Sequence, residues 1–480
     1  MDPGGVDAGG VAGGADPVAR RPLPTVLVAG FAGFVTALDN SILMVALPTI
    51  GADLRLSTTG LQWVVVSYML VFAGLLITAG ALGDRFGPRR VLLIGLAAFA
   101  VTSLGCGTAG SGVALALWRA GQGAAAALLV PTGLALLRTD LHPRHRPLGI
   151  AVWTAALAAA LAIGPALGGA LSQFAHWRWI FLGAVPCCLV TLVLAAVTLR
   201  PGGPGTPGGP GARTRLTVLG TTALSVAMFA FMALLLDTGP PVLVVVAVAA
   251  SLVFVVHERR TAHPLLPRAV IGRRVFVVGA LAQALWSIAI TGLLFVSPPY
   301  LERVLGLTPA GSGLFFVPIA LAVVVGTPVV APLVRRIGSW HVAGLGLALV
   351  AVALFAIVGL ADRAHAGGLL ACLALAGFGS ALTTPLTTAV LDSVEDRFAG
   401  VASGAVTAAR ELAGALGVAA VGSTYAVTAA ASDGEPKSIA DGYAAGVLVA
   451  ALAVAVAFLL ALSAGAGKIT RRPSRRAVRP

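Results

Sequence analysis

Two carboxylates and two guanidinium groups stand in stretches that offer them almost nothing polar. Asp39 lies in FVTALDNSILMVALPTI (34–50), Arg119 in ALWRAGQGAAAA (116–127), and Arg410 and Glu411 in GVASGAVTAARELAGALG (400–417). A charge at the centre of a bilayer costs about 2.5–3.5 kcal/mol on insertion scales, so such residues default to a functional reading. The chemistry open to them is proton uptake and release. Burial favours a neutral acid, a neighbouring guanidinium favours the carboxylate, and the balance can bring titration near neutral pH. The structural alternative is a static pair that pins two helices.

The surrounding chain fixes the environment. Of 480 residues 58% are hydrophobic and 10% charged, with mean hydropathy +0.97; soluble domains carry about 25% charged residues. Stretches long enough to span a bilayer recur near 24–47, 61–80, 90–109, 112–137, 148–170, 179–199, 216–236, 240–257, 274–301, 311–332, 340–360, 367–390, 398–425 and 442–466. The fold class is therefore an all-α integral membrane protein with fourteen transmembrane helices, embedded in a lipid bilayer. A net charge of +14 could fit a nucleic-acid partner, but its placement excludes one. Arg119 and Arg410 lie inside spans, Arg55, Arg178, Arg303, Arg363 and Lys437 on one set of alternate loops, and every other Lys and Arg on the opposite set or the tails. By the positive-inside rule both termini are cytoplasmic. The cysteines Cys106, Cys187, Cys188 and Cys372 fall within spans and give no disulfide or zinc spacing, so neither metal nor cofactor is expected. The Arg, Gly and Ala bias points to a high-GC bacterium and its cytoplasmic membrane.

An internal repeat organises the spans. At an offset of 251 residues, Leu47-Pro48 falls on Pro298-Pro299, STTG (57–60) on TPAG (308–311), DRFG (84–87) on RRIG (335–338), and Gly149 on Gly400. Ser57 and Thr308 are placed to cap the following helix, and Pro309 suits a first helical position. The expected domains are a cytoplasmic tail (1–23), a six-helix bundle (24–199), an insert (200–273), a second bundle (274–466) and a basic tail (467–480). The insert opens on the Gly/Pro linker RPGGPGTPGGPGART and adds two spans before a basic loop. Parallel repeats of this kind place a transport site between the halves.

Three motifs accompany the repeat. GALGDRFGPRR (80–90) joins spans two and three, with Gly80 and Gly87 permitting tight helix ends around Asp84, Arg85 and Arg89; WRAGQG (118–123) carries Arg119 and Gln122. In GPALGG (164–169), Gly164 and Gly168 share a face that allows close helix contact, and Pro165 removes a backbone donor. Together they resemble the signatures of the major facilitator superfamily. The third resembles the motif associated with its antiporters, with Gly164, Pro165, Gly168 and Gly169 in its fixed positions. LDNSILMVALP (38–48), QWVVVSYML (62–70), WRWIFL (177–182) and YLERVLGLTPAGSG (300–313) resemble the 14-span drug:H⁺ antiporter branch. The chain departs from that branch at Ala184, where Asn is usual, at Glu302 and Glu411, where Gln is usual, and at Arg335, which stands opposite Asp84. The resemblance implies that the acid of the first span couples transport to protons, that the arginine of the second motif tunes it, and that the 80–90 loop acts as a conformational switch.

Depth supports a meeting of the two groups. Asp39 lies about 12 Å, and Arg119 about 10 Å, below the external ends of their spans at 1.5 Å per residue. If both face the central cavity they pair. Asn40 and Ser41 are placed to help solvate them. Arg410 and Glu411 lie near the midplane, with side chains about 100° apart on the helix; Glu411 is either a second proton site or part of a structural network. Tyr68, Gln122, Gln283, Trp286, Asn40 and Arg410 are the expected cavity lining. Trp63, Trp177, Trp179 and Trp153 read as an interfacial belt. The implied function is export of drugs, antibiotics or other amphipathic small molecules by a monomer, driven by the proton motive force. The rivals are a specific metabolite carrier or importer on the same fold, and, from other classes, a membrane enzyme or a channel. No catalytic residues are assigned, because no nucleophile motif, His/Asp cluster or phosphate loop stands in the spans.

Overall fold

A computed structural model describes residues 22–199, 218–236, 240, 242–261, 267–363, 365–395, 398–430 and 436–469. The expected tails and the Gly/Pro linker fall largely outside these residues. The described chain forms helices α1 (Pro22–Leu54), α2 (Thr58–Phe86), α3 (Pro88–Thr108), α4 (Gly112–Thr139), α5 (Arg146–Phe174), α6 (Trp179–Thr198), α7 (Val218–Leu235), α8 (Val242–Arg260), α9 (Arg274–Arg303), α10 (Pro309–Ile337), α11 (Ser339–Leu360), α12 (Ala366–Leu391), α13 (Ala399–Ala430) and α14 (Pro436–Ile469). Thirteen are long and apolar enough to cross a membrane; the other, α7, has a shorter apolar stretch, Thr222–Leu235. Several outrun the apolar stretches read from sequence, because a helix keeps its own hydrogen bonds into the interfacial zone. Three are interrupted: α6 at Gly183, α10 at Phe316, and α12 at Thr383-Thr384 before Pro385.

The repeat extends to packing. In the first half α1 packs on α5, α2 on α4, α3 on α4 and on α6. The equivalent pairs α9–α13, α10–α12, α11–α12 and α11–α14 recur in the second. Two seams join the halves, α5 against α10 and α2 against α13, and exchanging the repeats turns one seam into the other. The inserted α7 packs on α8 and α2 and touches α13, so it flanks the α2–α13 seam.

Backbone conformation follows the same offset. Ser57 and Thr308 both extend and accept a hydrogen bond at 3.2 Å, from the N–H of Gly60 and Gly311 respectively. Gly87 (φ 89°) and Gly338 (φ 85°) make the turns after α2 and α10, while Arg55 (φ 51°) and Gly306 (φ 67°) make those before them. With ψ of 136° and 155°, Gly87 and Gly338 approach a region that only glycine enters readily. A Cβ at Gly87 would meet nothing within 4 Å, so a substitution there tests backbone strain alone. Gly87→Ala should destabilise the protein by about 1–3 kcal/mol, read as a lower melting temperature in detergent; an unchanged transition would refute the strain.

Candidate functional site

The first-half polar residues converge inside α1–α4. Asp39 on α1 is 5% exposed, and Arg119 and Gln122 on α4 are fully buried. Arg119 Nη1 donates to Asp39 Oδ2 and, at 2.7 Å, to Gln122 Oε1. Gln122 Nε2 donates to Asp39 Oδ1 at 2.8 Å and to Ser103 Oγ of α3 at 3.0 Å. Arg119 Nε donates to the Val64 carbonyl of α2 at 3.3 Å. Its guanidinium lies 4.3 Å from the Tyr68 ring centroid, a cation–π contact strengthened by desolvation. All four helices therefore contribute to one network. Gln122 follows Arg119 by three residues on α4, which puts both on one face, and Gly123 brings α4 against the Tyr68 backbone. Arg119 Nη2 and Asn40 Oδ1 are buried without a hydrogen-bond partner.

This geometry differs from the expected cavity wall. Asp39 and Arg119 pair in a sealed interior, and Tyr68, 2% exposed and stacked on Phe72, covers them. Ser41 does not solvate the pair; its hydroxyl donates to the carbonyls of Leu38 and, across to α5, Ala160 at 3.0 Å. Ser103 and the Val64 carbonyl went unread in the sequence, since a serine and a backbone oxygen in apolar spans carry no motif.

Other polar residues gather in the second half. Gln283 Nε2 donates to Thr387 Oγ1 at 2.8 Å, and Trp286 Nε1 to Ser380 Oγ at 3.2 Å, both linking α9 to α12. Arg410 and Glu411 contact each other at 3.5 Å although adjacent side chains leave the helix about 100° apart, because long side chains bend back towards one another. Arg410 keeps 43% of its side chain exposed and Glu411 16%. Ser287 Oγ donates to the Arg410 carbonyl at 2.7 Å.

The GPALGG segment works on both sides of α5. A Cβ at Gly164 or Gly168 would strike Ser41 or the Ile42 carbonyl of α1 at 2.0 and 2.3 Å. A Cβ at Gly169 would strike the Pro309 carbonyl of α10 at 2.2 Å, and one at Gly313 of α10 the Pro165 carbonyl at 2.3 Å. The α5–α10 seam is thus backbone on backbone. In the 80–90 loop, Asp84 and Arg85 are exposed, Arg89 Nη2 donates to the Ala196 carbonyl of α6 at 2.7 Å, and Gly80 faces Pro131.

Two tryptophans leave the expected belt. Trp177, 1% exposed, donates Nε1–H to Asp53 at 2.8 Å while Arg178 lies over its ring and donates to the Ala109 carbonyl; it staples the ends of α1, α3 and α6. Trp153, 8% exposed, packs against Gly33 and Gly133. Trp63 stacks on Phe229 of α7, and Trp179 is 54% exposed.

Residues 29–418 match the model of the Major Facilitator Superfamily. The chain belongs to that superfamily. Among its relatives, the cephamycin export protein CmcT of Amycolatopsis lactamdurans is 36% identical over 90% of both chains. The tetracenomycin C resistance and export protein of Streptomyces glaucescens is 33% identical over 84% of this chain and 76% of its own. The same fold is seen in a bacterial homologue of the human lysosomal transporter Spinster, with TM-score 0.72 and 16% identity over 96% of this chain and all of that one. This member of the superfamily is thus a multi-pass membrane transporter whose buried ion pair can be tested directly. Asp39→Asn and Arg119→Leu should each cost about 3–5 kcal/mol, the usual penalty for orphaning one buried charge. The double variant should cost less than their sum, as read by unfolding in detergent. Additive costs would mean that the two groups do not act as a pair.

Proposed function

We propose that the transporter exports an amphipathic organic molecule in exchange for protons, with Asp39 as the proton carrier. The observation that carries this reading is a carboxylate sealed deep in the first half, held by Arg119 and Gln122, in a chain whose two halves repeat one packing scheme. The relatives support the cargo class, since their names are those of antibiotic export and resistance proteins. With the termini on the cytoplasmic side, the ends of α2, α5, α10 and α13 that meet across the seams face outward, so this conformation is closed externally.

In the mechanism, ionised Asp39 accepts from Arg119 and Gln122 and ties α1 to α4. Protonation removes the charge that Arg119 matches, weakening the tie and freeing the guanidinium from its strongest acceptor. Proton and cargo drive exchange only if each prefers a different state, because a ligand bound equally to both shifts nothing. Arg410, with much of its side chain exposed, and Glu411 stand on α13 where cargo can meet them, and Gln283 and Trp286 line the same half. Glu411 is a second candidate for proton uptake. The chain acts as a monomer without a cofactor.

The test uses inverted membrane vesicles with an imposed pH gradient and a panel of cationic dyes and antibiotics. Substrate-induced proton efflux is expected from the wild type and should be lost in Asp39→Asn at equal membrane levels. An undiminished response from the variant would remove Asp39 from coupling and transfer the role to Glu411.

A further inference from the structure

The two seams occupy equivalent places in the repeat but are built differently. At the α5–α10 seam the residue that meets the opposite half is Gly313, and the helices touch through their backbones. The residue at the equivalent position of α2, 251 earlier, is Gln62. There a side chain, not a backbone, makes the contact with the facing helix. Gln62 Nε2 donates to the consecutive carbonyls of Val418 at 2.9 Å and Ala419 at 3.1 Å on α13, with Ser423 Oγ at 3.4 Å. The residue is 1% exposed. Its partner surface leaves room for it: a Cβ at Gly422 would stand 2.6 Å from Nε2, with the Phe295 ring at 2.7 Å on the other side. Its base is fixed by the Ser57 cap one turn earlier, and the neighbouring Trp63 is stacked on Phe229 of α7. Gln62 therefore has little freedom except to hold or release α13.

We propose that Gln62 is the positioning residue that latches this end of the two halves shut, and that its release from the Val418 and Ala419 carbonyls is a step in opening it. The inference rests on the alternating-access reading above. Chemistry explains why the latch is an amide. The bonds between an amide and two helix carbonyls are modestly stronger than the bonds the same groups make to water, which is enough to hold the seam shut and little enough to be given up on opening. The carbonyls already accept their helical N–H groups and offer second lone pairs, so release leaves α13 intact. The seam closes dry and opens wet without a large barrier at either end.

The experiment measures distances between spin labels at Ala52→Cys on α1 and Val427→Cys on α13, both exposed, with Cys187, also exposed, replaced by Ser. The protein is reconstituted in liposomes and examined at acidic and alkaline pH, with and without a cationic dye. Wild type should show a short distance and a minor long one. Gln62→Leu keeps the bulk but loses the bonds, and should raise the long-to-short ratio roughly tenfold, the scale of one or two neutral hydrogen bonds. Gln62→Glu, which turns a donor into an acceptor facing two carbonyls, should shift it in the same direction and further. Two wild-type distances with an unchanged ratio in both variants would overturn the latch and leave alternating access standing. A single wild-type distance under every condition would overturn both. Either variant suffices if the other fails to fold.

Discussion

A carboxylate that must stay in an apolar helix bundle governs the first half of this protein. Asp39 can be ionised there only with a cation and donors on every face, because isolated charge in a low-dielectric interior is prohibitively costly. Arg119 and Gln122 supply them from α4, while α2 contributes a carbonyl and an aromatic face to the guanidinium, and α3 a hydroxyl to the amide. The requirement therefore reaches beyond two residues. It sets how closely α1, α2, α3 and α4 meet, and Gly123 permits that approach by letting α4 rest on the backbone at Tyr68.

The same need to satisfy polar groups without water shapes the seams between halves. At α5–α10 it is met by omission: glycines bring two helices together with their polar backbone bonds already made internally. At α2–α13 it is met by addition, one buried glutamine donating to carbonyls of the facing helix that have spare acceptor capacity. Symmetry of fold thus accompanies asymmetry of chemistry. The buried Asp39–Arg119–Gln122 cluster also lies in one half only, since Ile290, Leu370 and Leu373 stand where Asp39, Arg119 and Gln122 stand in the other.

The inserted helices are peripheral to this machinery but not detached from it. Ser225 of α7 sits against Gly74 and Phe229 against Trp63, so α7 lines the lipid-facing edge of the α2–α13 seam. Helix α8 packs mainly on α7 and buries none of its residues in protein. An apolar crevice of about 440 Å³ opens between α2 and this pair, lined by Trp63, Phe229, Leu243 and Val246 among others.

By itself the sequence located the spans, thirteen of its fourteen being long and apolar enough to cross a membrane among the described residues, together with the repeat and the identity of the central ion pair. Each of these depends on a local or periodic property: twenty apolar residues in a row, a fixed offset between turn residues, or a charge where none is tolerated. Ser57, Thr308, Gly87 and Gly338 were readable for the same reason, because capping and left-handed turns are decided within four residues. What the tertiary structure decided was who stands opposite whom. Trp177 and Trp153 have the composition of belt residues, yet they are buried because Asp53 and two helix glycines happen to face them. Ser41 looked like a neighbour of Asp39 in the chain and turned out to serve α5. Gln62 opens the stretch QWVVVSYML, but nothing in that stretch points to its partners: they are backbone carbonyls more than 350 residues away, and a carbonyl has no residue type for a sequence to display.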